Sequence, residues 1–261
     1  MEKPTLSVVI IALNEERHIG DVLAAAAPLA DEIVLVDSGS TDRTIAIAES
    51  YNAKVIHQDW LGYGKQKNFA ISKAESDWIL SLDADEIMTP ELVVEIAGVM
   101  DSAKVQEFDG FKIPRMLHVG GVPISHGGFY PDRHLRLFRR GKGRFNDRLV
   151  HESVVVDGRI DNLTHALKNM AYENASEFSL SMENFARLSA KQRLLNGSSW
   201  WHVSHINELI HPWWTFLYRY IARLGFLDGH LGLQLQLAYS KYVRNKIRYL
   251  REAKTSTEST T

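Results

Sequence analysis

The chain has 261 residues, 45% hydrophobic and 24% charged, a globular composition long enough for one large α/β domain or a domain with an appendage. Its formal net charge of −2 gives no general pull toward nucleic acid, and the absence of cysteine excludes disulfides and thiolate chemistry. Met1-Glu2-Lys3-Pro4-Thr5 has no basic n-region or cleavage site, so no signal peptide is expected. No uninterrupted apolar run reaches about 18 residues, so no spanning helix is expected.

Leu6–Ala12 reads as a buried strand, β-branched and almost wholly apolar. Asn14-Glu15-Glu16 follows it, then a helix to about Ala27. Glu32–Asp37 is a second strand of the same kind. It is followed by a turn at Ser38–Asp42 and a helix from about Arg43 to Tyr51. Lys54–His57 is a third strand, and a helix over Lys65–Lys73 follows Gly62 and Gly64. Asp77–Leu82 is the fourth strand, and Pro90 opens a helix to Met100. Strands alternating with helices of this length predict a mainly parallel sheet flanked by helices, with ligands bound beyond the carboxyl ends of the strands. Asn14-Glu15, Asp37 and Asp83-Ala84-Asp85 each follow such an end. Three polar stations on one sheet edge point to a binding site more strongly than any one alone. Asp83, Asp85 and Glu86 end an apolar run abruptly, which is costly unless a cation, hydrogen-bond donors or water meet them. A divalent metal carrying a phosphorylated ligand is the economical partner.

Beyond Met100 the pattern changes. Gly110–Ile113 and Leu135–Phe138 read as strands, joined by a long glycine-rich connection of the kind that often carries function. Glu173–Leu195 fits a helix, with Phe178, Met182, Phe185 and Leu188 expected in a core. Pro212–Ile221 is aromatic and apolar but carries Arg219, with Arg223 just beyond. Gly225–Gly229 interrupts it, and a second apolar helix over about Leu231–Leu250 turns basic toward its end. This composition suits helices lying in a lipid headgroup region, or equally helices packed on the rest of the chain. The expected division is 1–170 for the domain that carries the polar stations, 171–254 for a helical region, and 255–261 for a polar disordered tail.

Ser7-Val8-Val9-Ile10, Ala12-Leu13-Asn14-Glu15, Val36–Asp42 and Asp83-Ala84-Asp85 resemble, in order and spacing, the family 2 nucleotide-sugar glycosyltransferases. That resemblance implies a GT-A fold and inversion at the anomeric carbon. Arg136-Leu137-Phe138-Arg139, Val150-His151-Glu152 and Gly225–Gly229 resemble a narrower branch containing bacterial lipopolysaccharide inner-core β-1,4-glucosyltransferases. The branch implies glucose from UDP-glucose as donor, a lipid-linked heptose as acceptor, and a peripheral position on the cytoplasmic face of the inner membrane.

By the family resemblance, Asp37 binds the uracil imide, a task that suits a carboxylate accepting an N–H bond in a closed pocket; a helix cap is its other reading. Ala12, Asn14 and Glu15 line the nucleotide, Asp83 holds the ribose beside Ala84, and Asp85 binds Mg²⁺ or Mn²⁺. Glu86 is expected as a supporting or helix-start residue. Lys65 or Lys67 opens a helix and can reach a phosphate, with Lys67 taken as the site residue. From the cluster Arg133, Arg136, Arg139, Arg140, Lys142, Arg144 and Arg148, part is expected to meet the diphosphate or an anionic acceptor, and Arg136 is taken for the site. An inverting transferase needs one base for the acceptor hydroxyl. Glu152 lies where the family places its catalytic acidic pair, and Asp132 is the runner-up. His151 departs from the commoner Glu-Asp pair and either orients Glu152 or is structural. The alternatives are transfer of another UDP-sugar to a different cell-envelope glycan and a catalytically silent nucleotide-sugar scaffold on the membrane. A nucleotidyltransferase would want a glycine- and arginine-rich first loop, which Ala12-Leu13-Asn14-Glu15 does not supply.

Overall fold

The computed structural model describes residues 3–146, 152–195 and 204–258. The chain forms two compact units. One comprises Met1–Met116, Pro131–Asp147 and His151–Ala171, and the other Leu117–Tyr130, Arg148–Val150 and Tyr172–Thr261.

The first unit begins with the expected alternation: β1 (Leu6–Ala12), α1 (Ile19–Ala26), β2 (Glu32–Asp37), α2 (Thr44–Ser50), β3 (Lys54–His57), α3 (Tyr63–Ser72) and β4 (Trp78–Asp83). These four strands lie parallel in the order β3-β2-β1-β4. Val8, Ile10, Leu35, Leu80 and Leu82 are almost wholly buried, as expected of strands covered on both faces. Because the strands are parallel, Ala12, Asp37 and Asp83 reach one edge together, with Ala12 opposite Asp37 and Ile11 opposite Asp83.

The sheet then continues with four further strands, among which antiparallel pairing enters. These are β5 (Glu86–Met88), β6 (Gly110–Val119), β8 (Asp132–Arg139) and β12 (Leu167–Tyr172). β8 pairs antiparallel with both β4 and β6, and β12 pairs antiparallel with β5. α4 (Pro90–Met100) follows β5 and α5 (Lys104–Glu107) precedes β6. β9 (Gly143–Phe145) and β10 (Val154–Val156) make a separate two-stranded ribbon, and β11 (Ile160–Asn162) lies parallel beside β6. Glu86 is a strand residue and not a helix start. The helix begins at Pro90, where Thr89 Oγ1 accepts the Leu92 amide at 3.2 Å.

In the second unit, β7 (Val122–Pro123) turns back on the end of β6. α6 (Ala175–Leu195), α7 (His205–Leu217), a π-helical turn (Tyr218–Ala222), a 3₁₀ turn (Gly225–Asp228) and α8 (Gly229–Glu258) complete it. Phe178, Ala186 and Ala190 are buried and Met182 and Phe185 pack beside buried neighbours. Leu188 is instead 40% exposed, because the buried stripe runs at steps of four from Phe178 through Met182, Ala186 and Ala190 and leaves it to one side. α8 also continues into the stretch expected as a disordered tail from 255. Helical bonding persists to Glu258, with the Thr255 hydroxyl donating to the Arg251 carbonyl at 3.0 Å.

Candidate active site

Ala12, Asn14, Glu15, Asp37, Lys67, Asp83, Ala84, Asp85, Arg136 and Glu152 all belong to the first unit, and His151 and Arg148 lie outside the described residues. Two loops at the carboxyl edge are fastened to each other by side chains. The Asn14 amide donates to Ser40 Oγ at 2.8 Å, and the Thr41 amide donates to Asn14 Oδ1 at 2.8 Å. The Glu15 amide donates to Thr44 Oγ1 at 2.8 Å. Asn14 takes a left-handed backbone, φ +56°, which asparagine tolerates better than most residues. Ala12 is buried beneath this loop.

Asp37 is 1% exposed and its carboxylate already serves its own turn. Oδ2 accepts the amides of Gly39 at 2.7 Å and Ser40 at 2.8 Å, and Oδ1 accepts the Ser40 hydroxyl. This Asx-type closure shapes the loop, while Oδ1 keeps acceptor capacity because a carboxylate offers about four lone-pair sites. Asp37 therefore holds the turn after β2 and does not cap α2.

The Asp83 carboxylate stands between two buried cations. Lys67 Nζ lies 2.7 Å from Oδ1, and an Arg136 terminal nitrogen lies 2.6 Å from Oδ2. Burial opposes ionisation of Asp83, but the Arg136 and Lys67 charges outweigh it and hold the carboxyl well below the usual carboxylate range. The same Arg136 nitrogen reaches Glu86 Oε1 at 2.6 Å, and Arg115 stands 3.5 Å from that oxygen. Glu86 is fully buried and accepts the Asp83 amide at 3.2 Å, so it anchors the backbone of the strand end as well as Arg136. Arg136 Nε is buried without a hydrogen-bond partner among the described residues.

Lys67 also reaches Glu152 Oε1 at 3.0 Å and lies over the Phe145 ring. Burial works against its charge, but Asp83 and Glu152 more than compensate and raise its pKa. Lys65, the other lysine considered, is exposed. The position of Lys67 depends on how α3 docks. Asn68 exchanges two hydrogen bonds with the Phe145 backbone, at 2.9 and 2.8 Å. A Cβ at Gly64 would stand 2.6 Å from the Asn146 carbonyl oxygen, so only glycine permits that approach. Fully buried Gln66 ties α3 to the neighbouring loops through Ser38 Oγ at 3.1 Å and the Gln58 carbonyl at 3.0 Å.

Asp85 is in the opposite electrostatic situation. Burial and the carboxylates of Asp83, Glu86 and Glu15 push its pKa up to about 7, with Arg115 opposing weakly. Glu15 is likewise raised, by burial and by Asp42 and Asp83. Asn169 Nδ2 lies 3.5 Å from Asp85 Oδ2. Negative charge converges here without an adequate counter-charge, and a divalent cation fits that deficit. Among the described residues no three Asp, Glu, His or Cys side chains form a ligand cage. The crowded carboxylate of Asp85 fits a Mg²⁺- or Mn²⁺-type ion shared with phosphate and water, which such ions accept with one or two protein carboxylates.

Asp132 is paired on both sides, with Arg115 at 2.8 Å and His134 Nε2 at 2.8 Å. Burial opposes its ionisation, but His134 and Arg115 prevail and hold it below the usual range, which makes it a weak proton acceptor. Two other arginines of the cluster go elsewhere: Arg133 donates to the Leu163 carbonyl at 2.6 Å, and Arg139 lies 3.4 Å from Asp109 and covers the Trp78 ring. Glu86 takes the supporting role that was one of its two sequence readings, whereas Arg115, Gln66 and Asn68 were not singled out from sequence as site-building groups. A charged residue between apolar neighbours in a strand, as at Arg115 in β6, is a signal that marks one of them.

The profile described as Glycosyl transferase family 2 matches residues 7–112, from β1 into β6. LpsC of Rhizobium meliloti (strain 1021), a lipopolysaccharide core biosynthesis glycosyltransferase, is 34% identical over 205 residues, 75% of this chain and 74% of that protein. An uncharacterized glycosyltransferase of Rickettsia felis (strain ATCC VR-1525 / URRWXCal2) is 32% identical over 257 residues, 94% of this chain and 88% of that one. Among solved structures, glucosyl-3-phosphoglycerate synthase from Mycobacterium tuberculosis, in complex with Mn²⁺, UDP and phosphoglyceric acid, is 29% identical with a TM-score of 0.36, covering 42% of each chain. The profile spans the parallel half of the sheet and its three polar stations, and a relative of this identity extends over three quarters of the chain: the chain belongs to glycosyl transferase family 2.

Proposed function

We propose that the chain transfers glucose from UDP-glucose to an inner-core heptose of lipopolysaccharide, inverting the anomeric carbon, at the cytoplasmic face of the inner membrane. The observation that carries the donor half is the contrast between two aspartates one residue apart. Asp83 is saturated by Lys67 and Arg136, whereas Asp85 is left in uncompensated negative charge. A neutralised, fixed carboxylate suits hydrogen bonding to a ribose, and a charge-crowded one suits a cation. The heptose acceptor is supported by the likeness to a lipopolysaccharide core transferase.

In this reading, residues 1–170 bind the donor and catalyse transfer, and 171–254 serve the acceptor and the membrane. Asp37 accepts the uracil imide N–H, and Ala12, Asn14, Glu15 and Ala84 line the nucleotide. Asp83 holds the ribose, while Lys67 and Arg136 keep it oriented and add positive charge near the phosphates. Asp85 holds Mg²⁺ or Mn²⁺, which neutralises charge on the departing diphosphate when bound. Glu152 takes the proton from the acceptor hydroxyl as its oxygen bonds to C1 and the C1–O bond to UDP breaks. Asp132 is disfavoured as the base because both of its partners hold it ionised at low pH.

A donor screen tests the proposal. The purified chain is incubated with Mn²⁺ or Mg²⁺ and each of several UDP-sugars, and UDP release is followed with and without a heptose-terminated core acceptor. Slow release from UDP-glucose, accelerated by the acceptor, is expected. Faster acceptor-dependent release from another donor overturns the glucose assignment, and release from none overturns the transferase reading.

A further inference from the structure

α7 is amphipathic with its faces reversed. Ile206, Leu209, Ile210, Trp213, Trp214 and Leu217 recur at steps of three and four and so form one face of the helix. That face is turned to solvent: Trp213 is 70% exposed, Trp214 66% and Leu209 63%. The face packed on α8 is the polar one. Asn207 and Glu208 are buried, and Glu208 pairs with Arg251 and lies 3.8 Å from Arg244. Ser240 Oγ in α8 donates to the Pro212 carbonyl at 2.8 Å. The polar inward contacts orient the helix, and they orient it with the apolar stripe outward. A stripe of this size left in water marks a surface that meets another apolar phase.

We propose that the outward face of α7 is a membrane-docking surface, lying in the plane of the headgroup–acyl boundary of an anionic bilayer. Charge separates this occupant from others. Between Ser204 and Arg251 the only acidic residues are Glu208 and Asp228. Both are turned inward, Asp228 to His126 at 2.8 Å and Glu208 to its arginines. Arg223, Lys241 and Arg244 stand exposed, so the surface of this segment is positive, complementary to anionic lipid. Two adjacent indoles with polar N–H groups suit the headgroup level, where acceptors and apolar chains meet, better than a dry contact between two copies. The helix lies on the membrane and does not cross it. Its thirteen residues span about 20 Å, short of a hydrocarbon core, and no helix among the described residues is long and apolar enough to span.

This surface gives the proposed lipid-linked acceptor a two-dimensional meeting place, and only in that purpose does it rest on the proposed function. The test is flotation of the full chain with neutral phosphatidylcholine vesicles and with vesicles containing about one quarter phosphatidylglycerol. It compares wild type with the double variant Trp213→Ser/Trp214→Ser and with Arg223→Ala. Wild type is expected to float with anionic vesicles and less with neutral ones. Loss of both indoles is expected to lower the bound fraction by about tenfold or more, at unchanged circular dichroism. Arg223→Ala is expected to weaken only the anionic preference. Wild type that stays at the bottom, or a double variant that floats equally, overturns the proposal. So does a lipid-free dimer that the double variant dissolves while neither form floats, because α7 would then be a self-association face. UDP release in lipid-free buffer separates the two readings. Failed flotation with intact release removes the docking surface and the membrane location while leaving the transfer chemistry, and flotation without release removes the transferase reading alone.

Discussion

Replacing Arg136 by methionine tests the charge lattice on which the site depends. Arg136 is 4% exposed, and one of its nitrogens serves Asp83 and Glu86, each at 2.6 Å. Asp83 would keep Lys67 at 2.7 Å, but Glu86, fully buried, would keep Arg115 at 3.5 Å as its remaining cation. Removing one partner of a buried ion pair costs about 3–5 kcal/mol, because the other charge stays buried without compensation. The remaining cations place Arg136→Met near the lower end, about 3 kcal/mol. In a chain of this length each kcal/mol moves Tm by about 2–4 °C, so a fall of roughly 6–12 °C is expected by differential scanning calorimetry. Glu86→Gln removes the stranded charge and keeps an oxygen for the Asp83 amide. Combined with Arg136→Met it should recover a large part of the loss, giving a coupling energy above about 1 kcal/mol. An Arg136→Met protein within about 1–2 °C of wild type, or a double variant whose losses simply add, would refute the claim that these charges act as one lattice.

The remaining predictions concern single positions. Asp85, with its folded pKa pushed up to about 7, binds a proton in the folded state across a range where the unfolded carboxyl, near about 3.9, has released it. Its contribution to stability therefore falls as pH rises through that range. Asp85→Asn should raise Tm of metal-free protein most at pH about 8, with a gain that shrinks toward pH about 4. Added Mn²⁺ should stabilise wild type and not this variant, and equal stabilisation of both would remove Asp85 as the ligand. Glu152→Gln keeps an oxygen for Lys67 but cannot take a proton, so kcat should fall by about 10²–10⁴ at nearly unchanged UDP affinity. Turnover within a factor of about three of wild type would exclude Glu152 as base. Gly64→Ala puts a methyl 2.6 Å from a backbone oxygen and should cost about 1–3 kcal/mol, read by urea unfolding, through displacement of α3 and Lys67.

The parallel half of the sheet was legible because its strands are continuous β-branched runs and its helices have the right period. β1, β2 and β3 have the bounds read from sequence, and the polar stations follow from their ends. The antiparallel half was not legible in the same way. β5 is three residues long and immediately follows the aspartates, so local pattern favours a helix start there, and only pairing with β12 makes it a strand. Asp83 and Asp85 are nearly equivalent in sequence. Their opposite electrostatics come from Lys67, sixteen positions before Asp83, and Arg136, which β8 brings in from the other side. Asp37 was weighed between ligand and helix cap, whereas its turn, closed by Gly39 and Ser40, is what it holds in the structure. The aromatic character of Pro212–Ile221 was visible, but not which way it faces. The direction is set by Glu208 and its arginines on α8, contacts between residues about forty apart in the chain.

In the proposed function, one base and one charge-crowded aspartate carry out an inverting glucosyl transfer. The most direct measurement is the anomeric configuration of the product, by NMR, from UDP-α-glucose and a heptose-terminated core acceptor in the presence of Mn²⁺. A β-linked glucoside, formed by wild type and lost in Glu152→Gln, is predicted. An α-linked product, or a β-linked product formed equally by Glu152→Gln, would contradict the account.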